Sequence, residues 1–329
     1  MRGSRFDVIV VGGGPAGLSA ALTLGRARLR VLVVDAGEPA NAAGAGIGGL
    51  LGHPAEEPVS TLRAAGTAQL RELVGTVARL DGRVRDVRAV RGDGRRFFAV
   101  DVDGAVLRAR ALLLAGGLRY LPPALPGMES LWGRSVFHCP FCDGWESRDQ
   151  VIAVSDEGAR LVRRALLLRG WSREVVAVGP LSVADRAELA AAGVRVRTEP
   201  VAALEADPAD ATRLRAIRFA DGSRERADAL FVAPRLERHD ALPERLGCAP
   251  SAEQSALLAV DADGRTSVPG VYAAGDLAEP VRSVANAVGS GSRVGKAIAL
   301  ELLRPLDREI AMEHALTPNV VRRRTPARV

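Results

Sequence analysis

Cys139 and Cys142 stand three positions apart in His138-Cys139-Pro140-Phe141-Cys142-Asp143-Gly144, and the remaining cysteine, Cys248, lies over a hundred residues downstream. A Cys-x-x-Cys turn brings two sulfurs within disulfide reach. Its local dipoles and hydrogen bonds lower one thiol pKa, so a thiolate attacks a substrate sulfur near neutral pH. Disulfide exchange is the chemistry implied. A structural zinc site needs about four ligands, and the chain has neither a second Cys-x-x-Cys nor a His-x-x-x-His, so no metal is expected. A carboxylate such as Asp143 beside a thiolate raises the thiol pKa by like-charge repulsion and can shuttle a proton, and His138 is a candidate secondary base by adjacency. Phe141 and Trp145 flank the turn and are candidates to line a substrate pocket, whereas Cys248 reads as a buried small hydrophobe.

Such a dithiol needs an electron partner, and the start of the chain offers a place for one. Residues 6–11 form an apolar strand that runs into Gly12-Gly13-Gly14-Pro15-Ala16-Gly17, which opens an Ala- and Leu-rich helix to about Leu24. Gly12 permits the tight turn, Gly14 lets the backbone approach a pyrophosphate and Gly17 lets helix pack on strand. Pro15 and Ala16 begin the helix whose N-terminus faces the negative charge. A second strand at 30–34 ends in Asp35, eighteen residues past Gly17, where a carboxylate can accept from adenosine ribose hydroxyls. The similar spacing in Gly44-Ala45-Gly46-Ile47-Gly48-Gly49 follows no strand and is set aside. Gly289 to Lys296 has the wrong glycine spacing for a phosphate loop, with Ala297 where a metal-binding Ser or Thr would stand.

Downstream, Val271-Tyr272-Ala273-Ala274-Gly275-Asp276 reads as a short buried strand ending at a carboxylate, followed by a helix over about 284–303. Asp276 is placed to hold a ribityl hydroxyl. The helix N-terminus, near Arg282 and Ser283, would face the flavin C2 carbonyl and N1. Together the two motifs point to FAD.

The organisation then repeats. Strand, fingerprint, helix and strand are followed by a meander with turns at Gly92-Asp93-Gly94 and Asp103-Gly104 and a closing strand at 111–115. The middle of the chain retraces this with strand 151–154, helix 158–168, strand 174–178, a turn at Asp221-Gly222 and strand 229–232. The expected fold is α/β, with two Rossmann-like three-layer nucleotide-binding domains, the second inserted into the first. Residues 1–120 and 248–329 form the discontinuous FAD domain, residues 121–247 the inserted domain with the Cys-x-x-Cys, and 318–329 a mobile basic tail.

At 329 residues with 47% hydrophobic composition, two well-cored soluble domains are expected. No run of eighteen apolar residues and no signal peptide is read, so neither membrane nor export is expected, and the location read is cytoplasmic. The net charge of +6 owes four units to Arg322, Arg323, Arg324 and Arg328. Lys296 is the only lysine, and aromatics are 4% of the chain. Without a basic stripe interleaved with aromatics, no nucleic-acid partner is expected.

With Cys139-Pro140-Phe141-Cys142-Asp143-Gly144 and Ala273-Ala274-Gly275-Asp276 in this order around two nucleotide-type domains, the chain resembles the low-molecular-weight thioredoxin reductases over nearly its whole length. The resemblance implies that Cys142 faces the flavin, Cys139 meets the substrate, Asp143 serves the dithiol as acid-base group, and the protein is a homodimer. One departure is in the middle domain, where the family has a second Gly-x-Gly-x-x-Ala for NADPH and this chain has Ser155-Asp156-Glu157-Gly158-Ala159-Arg160. Glu157 would set a carboxylate against a pyrophosphate, and Arg160 is too long for close helix-strand packing. Only Arg186 is available for a 2′-phosphate. The NADPH site reads as abandoned, which puts NADPH in doubt.

The flavin would then draw electrons from a substrate dithiol, a small molecule or a thioredoxin-like protein, and pass them to oxygen. This logic resembles the gliotoxin-type and holomycin-type dithiol oxidases. Those commonly carry His after the second cysteine, where this chain has Asp143 as the reductases do, which leaves the substrate open. An NADPH-dependent or ferredoxin-linked thioredoxin reductase and a non-enzymatic flavin redox sensor remain as alternatives.

Overall fold

The computed structural model describes residues 5–92 and 95–316; the expected basic tail and the tip of the turn at Asp93-Gly94 lie outside the described residues. The first strand, Arg5–Val11 (β1), is completely buried at Val8, Ile9 and Val10, as a strand covered on both faces of a parallel sheet must be. Helix Pro15–Arg26 (α1) follows, with proline in its first turn where no hydrogen-bond donor is needed. Strand Val31–Asp35 (β2), helix Val59–Arg71 (α2) and strand Val77–Asp81 (β3) extend the sheet on one side. A meander of Val84–Gly92 (β4), Arg95–Val102 (β5) and Ala105–Leu114 (β6) extends it on the other, in the order β3-β2-β1-β6-β5-β4. Strand β6 does double duty, pairing antiparallel with β5 over its first half and parallel with β1 over its second.

Side-chain alternation splits this sheet between two cores. Ile9 and Leu112 face a core with Phe98 and Val100 of the meander, while Val8, Val10 and Leu113 face Leu24 of α1 and Ile298 near the end of the chain.

The chain leaves this unit at Arg119–Leu121 (β7), passes through the short helix Met128–Leu131 (α3) and strand Val136–Phe137 (β8), and reaches the one-turn helix Pro140–Asp143 (α4). A smaller copy of the plan follows: Ile152–Ser155 (β9), Gly158–Leu168 (α5), Val175–Val178 (β10), Val183–Ala191 (α6) and Arg195–Arg197 (β11). The meander Val201–Asp207 (β12), Asp210–Phe219 (β13) and Arg224–Arg226 (β14) comes next, and then Ala229–Val232 (β15). Its parallel sheet has the order β11-β10-β9-β15-β8. Helix α6 starts at a reciprocal capping box, Ser182 with Asp185.

Strand Arg235–Glu237 (β16) pairs antiparallel with β7, so the two crossings form one ribbon. In the following helix Leu242–Leu246 (α7), Leu242 is already part of the larger unit's core, with Leu246 against it. The return to that unit thus lies at the ribbon, upstream of the boundary expected at 247/248. The outgoing crossing is marked in the sequence by the proline-rich residues 121–127, whereas the return through residues 233–241 carries no such run.

Strand Val271–Ala273 (β17) adds to β6, and helix Val284–Leu316 (α8) runs past the end expected near Leu303. Leu302 and Leu303 pack against the core, and Pro305 follows them at the kind of position where a sequence reading ends a helix. Gly291 and Gly295, in the run set aside as a phosphate loop, face α1 instead: a Cβ at Gly291 would collide with the Ala16 carbonyl, and one at Gly295 would lie 3.0 Å from that of Ala20. They let two helices meet backbone to backbone.

Candidate active site

The redox turn is built by its own backbone. Cys139 is the extended residue that begins α4, Pro140 occupies the first helical position, and the backbone N–H groups of Cys142 and Asp143 both donate to the Cys139 carbonyl at 3.1 Å. This bends the chain so that both thiols, present here as free cysteines, interact. A hydrogen bond from Cys142 lowers the Cys139 thiol to about 7; burial opposes it, while the Cys142 and Phe141 backbone N–H groups and the Arg164 charge assist. Cys142 is pushed up, first by the hydrogen bond it gives to Cys139, then by burial and by the negative charges of Cys139, Asp143 and Asp276. Burial raises Asp143 to about 7, reinforced by Cys139 and Glu146. The two sulfurs are therefore unequal, with Cys139 the one that ionises near neutral pH.

Two aromatic side chains beside the turn are open to solvent, Phe141 at 75% and Trp145 at 67% exposure. Phe141 stands edge-on to Trp171 at 5.6 Å, and the Arg148 guanidinium covers the Trp145 ring at 4.1 Å. On the inner side, a Cβ at Gly48 would lie 3.0 Å from the Cys142 carbonyl oxygen. The glycine run set aside in the sequence as a false fingerprint therefore supplies the wall on which the redox turn rests.

His138 is packed between Tyr120, 4.8 Å between ring centroids, and Trp132, at 6.0 Å. Burial, then the charges of Arg282 and Arg164, lower its pKa to about 4. The imidazole expected as a secondary base is thus neutral at pH 7 and a weak proton acceptor there. A His138→Ala variant is expected to keep dithiol turnover within about twofold across pH 6–9 while losing stability through the lost ring contacts; a displaced pH profile would restore the histidine as a base.

Asp276 lies in a 3-10 turn, Gly275–Leu277, after β17. The Gly275 N–H donates to Ser290 Oγ at 2.9 Å, and its Cβ-free face sits against Ala16, which brings Asp276 to the start of α1. Tyr120 donates to Asp276 Oδ2 at 2.7 Å. Burial raises the Asp276 pKa against that hydrogen bond and the Arg282 charge. Arg282 itself donates to Gln254 at 3.0 Å, and Ser283 Oγ caps α8 by accepting from the Asn286 N–H at 3.1 Å.

At the first fingerprint, Gly12 has φ +113° and a Cβ there would collide with the Ala115 carbonyl, while a Cβ at Gly14 would meet nothing within 4 Å. The loop leaves an open cradle at the N-terminus of α1 where a pyrophosphate can approach the backbone. Asp35 lies against Gly13 and accepts from Arg63 at 2.5 Å, Arg79 at 2.8 Å and the Gly37 N–H at 3.1 Å. Burial works against its ionisation, but these partners, Arg79 foremost, hold the carboxyl below its ordinary value. A carboxylate has about four acceptor positions, so Asp35 keeps capacity for a ribose hydroxyl. The cradle, the ionised Asp35 and the buried Asp276 beside the helix start all fit an adenine dinucleotide carrying a flavin.

Residues 6–291 match the family described as pyridine nucleotide-disulphide oxidoreductase. The chain belongs to this family. Among its relatives, thioredoxin reductase tcpT of Claviceps purpurea is 31% identical over 314 residues, covering 92% of this chain and 95% of that protein. The crystal structure of HlmI superposes with a TM-score of 0.83 at 36% identity, covering 94% of this chain and 96% of that one. An oxidoreductase from Agrobacterium tumefaciens gives 0.82 at 34%, covering 92% and 99%. The chain is thus an enzyme of thioredoxin reductase-like type with that fold, and thioredoxin reductases are FAD-dependent.

Within that family frame, the second fingerprint is the divergent part. The Asp156 side chain is 3% exposed and turns its carboxylate into its own loop, accepting from the Glu157 N–H at 2.9 Å, from Arg160 at 2.9 Å and from Arg164 at 3.1 Å. The Gly158 N–H at the start of α5 donates to the Pro180 carbonyl at 3.3 Å. Arg164 and Tyr120 have no distinguishing signal in the sequence: one arginine among dozens marks nothing, and Tyr120 follows the closing strand without a motif. No helix among the described residues is long and apolar enough to cross a membrane.

Proposed function

We propose that the enzyme oxidises a substrate dithiol to a disulfide with oxygen as acceptor: R(SH)2 + O2 → RS2 + H2O2. The observation that supports this reading best is the contrast between the fingerprints. The first is an open glycine cradle, whereas the second is filled by the Asp156 carboxylate and its two arginines, with Glu157 where a pyrophosphate would need bare backbone. FAD held at the first fingerprint and at Asp276 would supply the two-electron acceptor for the dithiol and the contact with oxygen.

The side chains account for the exchange steps. A substrate thiolate attacks Cys139 Sγ of the oxidised pair, the Cys139–Cys142 bond breaks, and the electron pair goes to Cys142 Sγ. The second substrate thiolate then attacks the substrate sulfur bound to Cys139, and that bond breaks with the pair on Cys139 Sγ. A thiol of low pKa leaves more readily, which suits Cys139 at about 7. Asp143, also raised to about 7, takes the substrate protons near neutral pH and returns them to solvent. Phe141, exposed within the redox turn itself, offers an apolar surface beside Cys139, which suits a small-molecule dithiol. A homodimer is carried over from the resemblance.

The relatives named thioredoxin reductase favour a second reading, an NADPH- or ferredoxin-linked reductase acting on a thioredoxin-like protein. Anaerobic reduction of the yellow protein, in parallel with NADPH and with dithiothreitol, separates the two. Bleaching by dithiol alone, followed by stoichiometric peroxide on aeration, is expected; rapid bleaching by NADPH would restore the reductase.

A further inference from the structure

Strand β8 has two rungs with β15, Val136 with Leu230 and Phe137 with Phe231. The next pair in register would be His138 with Val232, immediately before Cys139, and there the ladder stops. One side chain takes its place: Arg164 Nη2 donates to the His138 carbonyl at 3.2 Å and to the Val232 carbonyl at 3.1 Å, while Nη1 donates to Asp156 Oδ2 at 3.1 Å. A single guanidinium thus ties the fingerprint loop, the end of β15 and the residue preceding Cys139. Its planar fork is suited to several acceptors at fixed angles, and a buried carboxylate partner holds it in place.

We propose that Arg164 is a positioning residue for Cys139, anchored by Asp156, so that the altered nucleotide fingerprint serves as a strut beneath the dithiol. In a nucleotide-binding domain, the crevice at the C-terminal ends of β9 and β15 is where a dinucleotide would lie. Here Asp156 follows β9, Val232 ends β15, and the ion pair spans the gap between them. The strut fixes the backbone from which Cys139 projects and keeps a cation near its sulfur. Around the dithiol stand the acidic Asp143 in the same turn, with Glu146 beside it, and Asp276 from beyond β17, while Arg282 faces His138 and Asp276; Arg164 is the cation that acts on Cys139.

The inference concerns thiol reactivity and stands apart from the electron acceptor, so its test does not use turnover. In FAD-loaded protein carrying Cys142→Ser, iodoacetamide alkylation of Cys139 is followed from pH 5 to 9 by peptide-level mass spectrometry, which separates it from Cys248. Because alkylation tracks the thiolate, Arg164→Met is expected to slow it about three- to tenfold at pH 7 and to move its midpoint to higher pH. Arg164→Lys, which keeps charge but not the fork, recovers part of the rate. Asp156→Asn acts in the same direction with smaller size, because it frees the guanidinium without removing it. A wild-type alkylation profile in Arg164→Met overturns the proposal; if that variant does not fold, a wild-type profile in Asp156→Asn does so.

Discussion

Cys142→Ser is expected to abolish dithiol turnover, by at least about a thousandfold, while leaving Cys139 open to alkylation near neutral pH. Removing either sulfur breaks the exchange, because a single thiol cannot form the internal disulfide that the substrate thiolate attacks. The two single variants nevertheless differ in what remains. In Cys142→Ser the remaining Cys139 keeps the Phe141 backbone N–H and the Arg164 charge, which favour its thiolate. In Cys139→Ser the remaining Cys142 is still buried and still faces Asp143 and Asp276, all of which keep its pKa high. Iodoacetamide at pH 7 should therefore label Cys139 in the first variant many times faster than Cys142 in the second. The reverse order of labelling would exchange the roles of the two sulfurs and overturn the assignment of Cys139 as the substrate-facing thiol. Steady-state oxidation of dithiothreitol, measured with oxygen uptake, checks the loss of turnover in both.

The roles of the two sulfurs came to the sequence only through the family resemblance, and spacing did not say which thiol is the more acidic, although the pair itself could be read. Cys-x-x-Cys, the glycines of the first fingerprint and the buried Val-Ile-Val strand announce themselves because each depends on residue type at fixed spacing. The second fingerprint was legible as a departure from the family's glycine pattern, because Ser155, Glu157 and Arg160 stand where that pattern has small residues and bare backbone. What Asp156 does instead was hidden. Its partner Arg164 is one of a great many arginines, and a guanidinium that completes a strand ladder leaves no periodic trace. Gly48 shows the opposite failure: its run carries a recognisable spacing, yet its use is to let the Cys142 carbonyl approach. Gly291 and Gly295 likewise mimic a phosphate loop and instead permit close helix packing. Glycine reports that something comes near; which group comes near is decided by tertiary contacts.

Asp143→Asn is expected to lower kcat for dithiol oxidation by about a hundred- to a thousandfold, the range associated with a lost proton acceptor. The pH dependence gives the sharper check. With Asp143 raised to about 7, chiefly by burial, the carboxyl is protonated and idle below neutrality, so wild-type kcat climbs as pH rises through 7. Asparagine cannot ionise, and the climb that remains in the variant is that of the substrate and enzyme thiols. Stability should move in the opposite sense. A carboxyl whose pKa is higher folded than unfolded binds its proton more tightly in the native state, so the native state is favoured below the unfolded value and loses that advantage as pH rises through the folded one. Asparagine carries no such loss, so the variant's Tm should exceed that of wild type by a few degrees at pH 8, with a smaller gain at pH 5. A variant slow in turnover yet more stable in alkaline solution would identify Asp143 as a carboxylate kept at a cost to folding for its proton chemistry. Equal Tm differences at both pH values would mean that the carboxyl is not raised in the folded protein, and the acid-base role would fall with it.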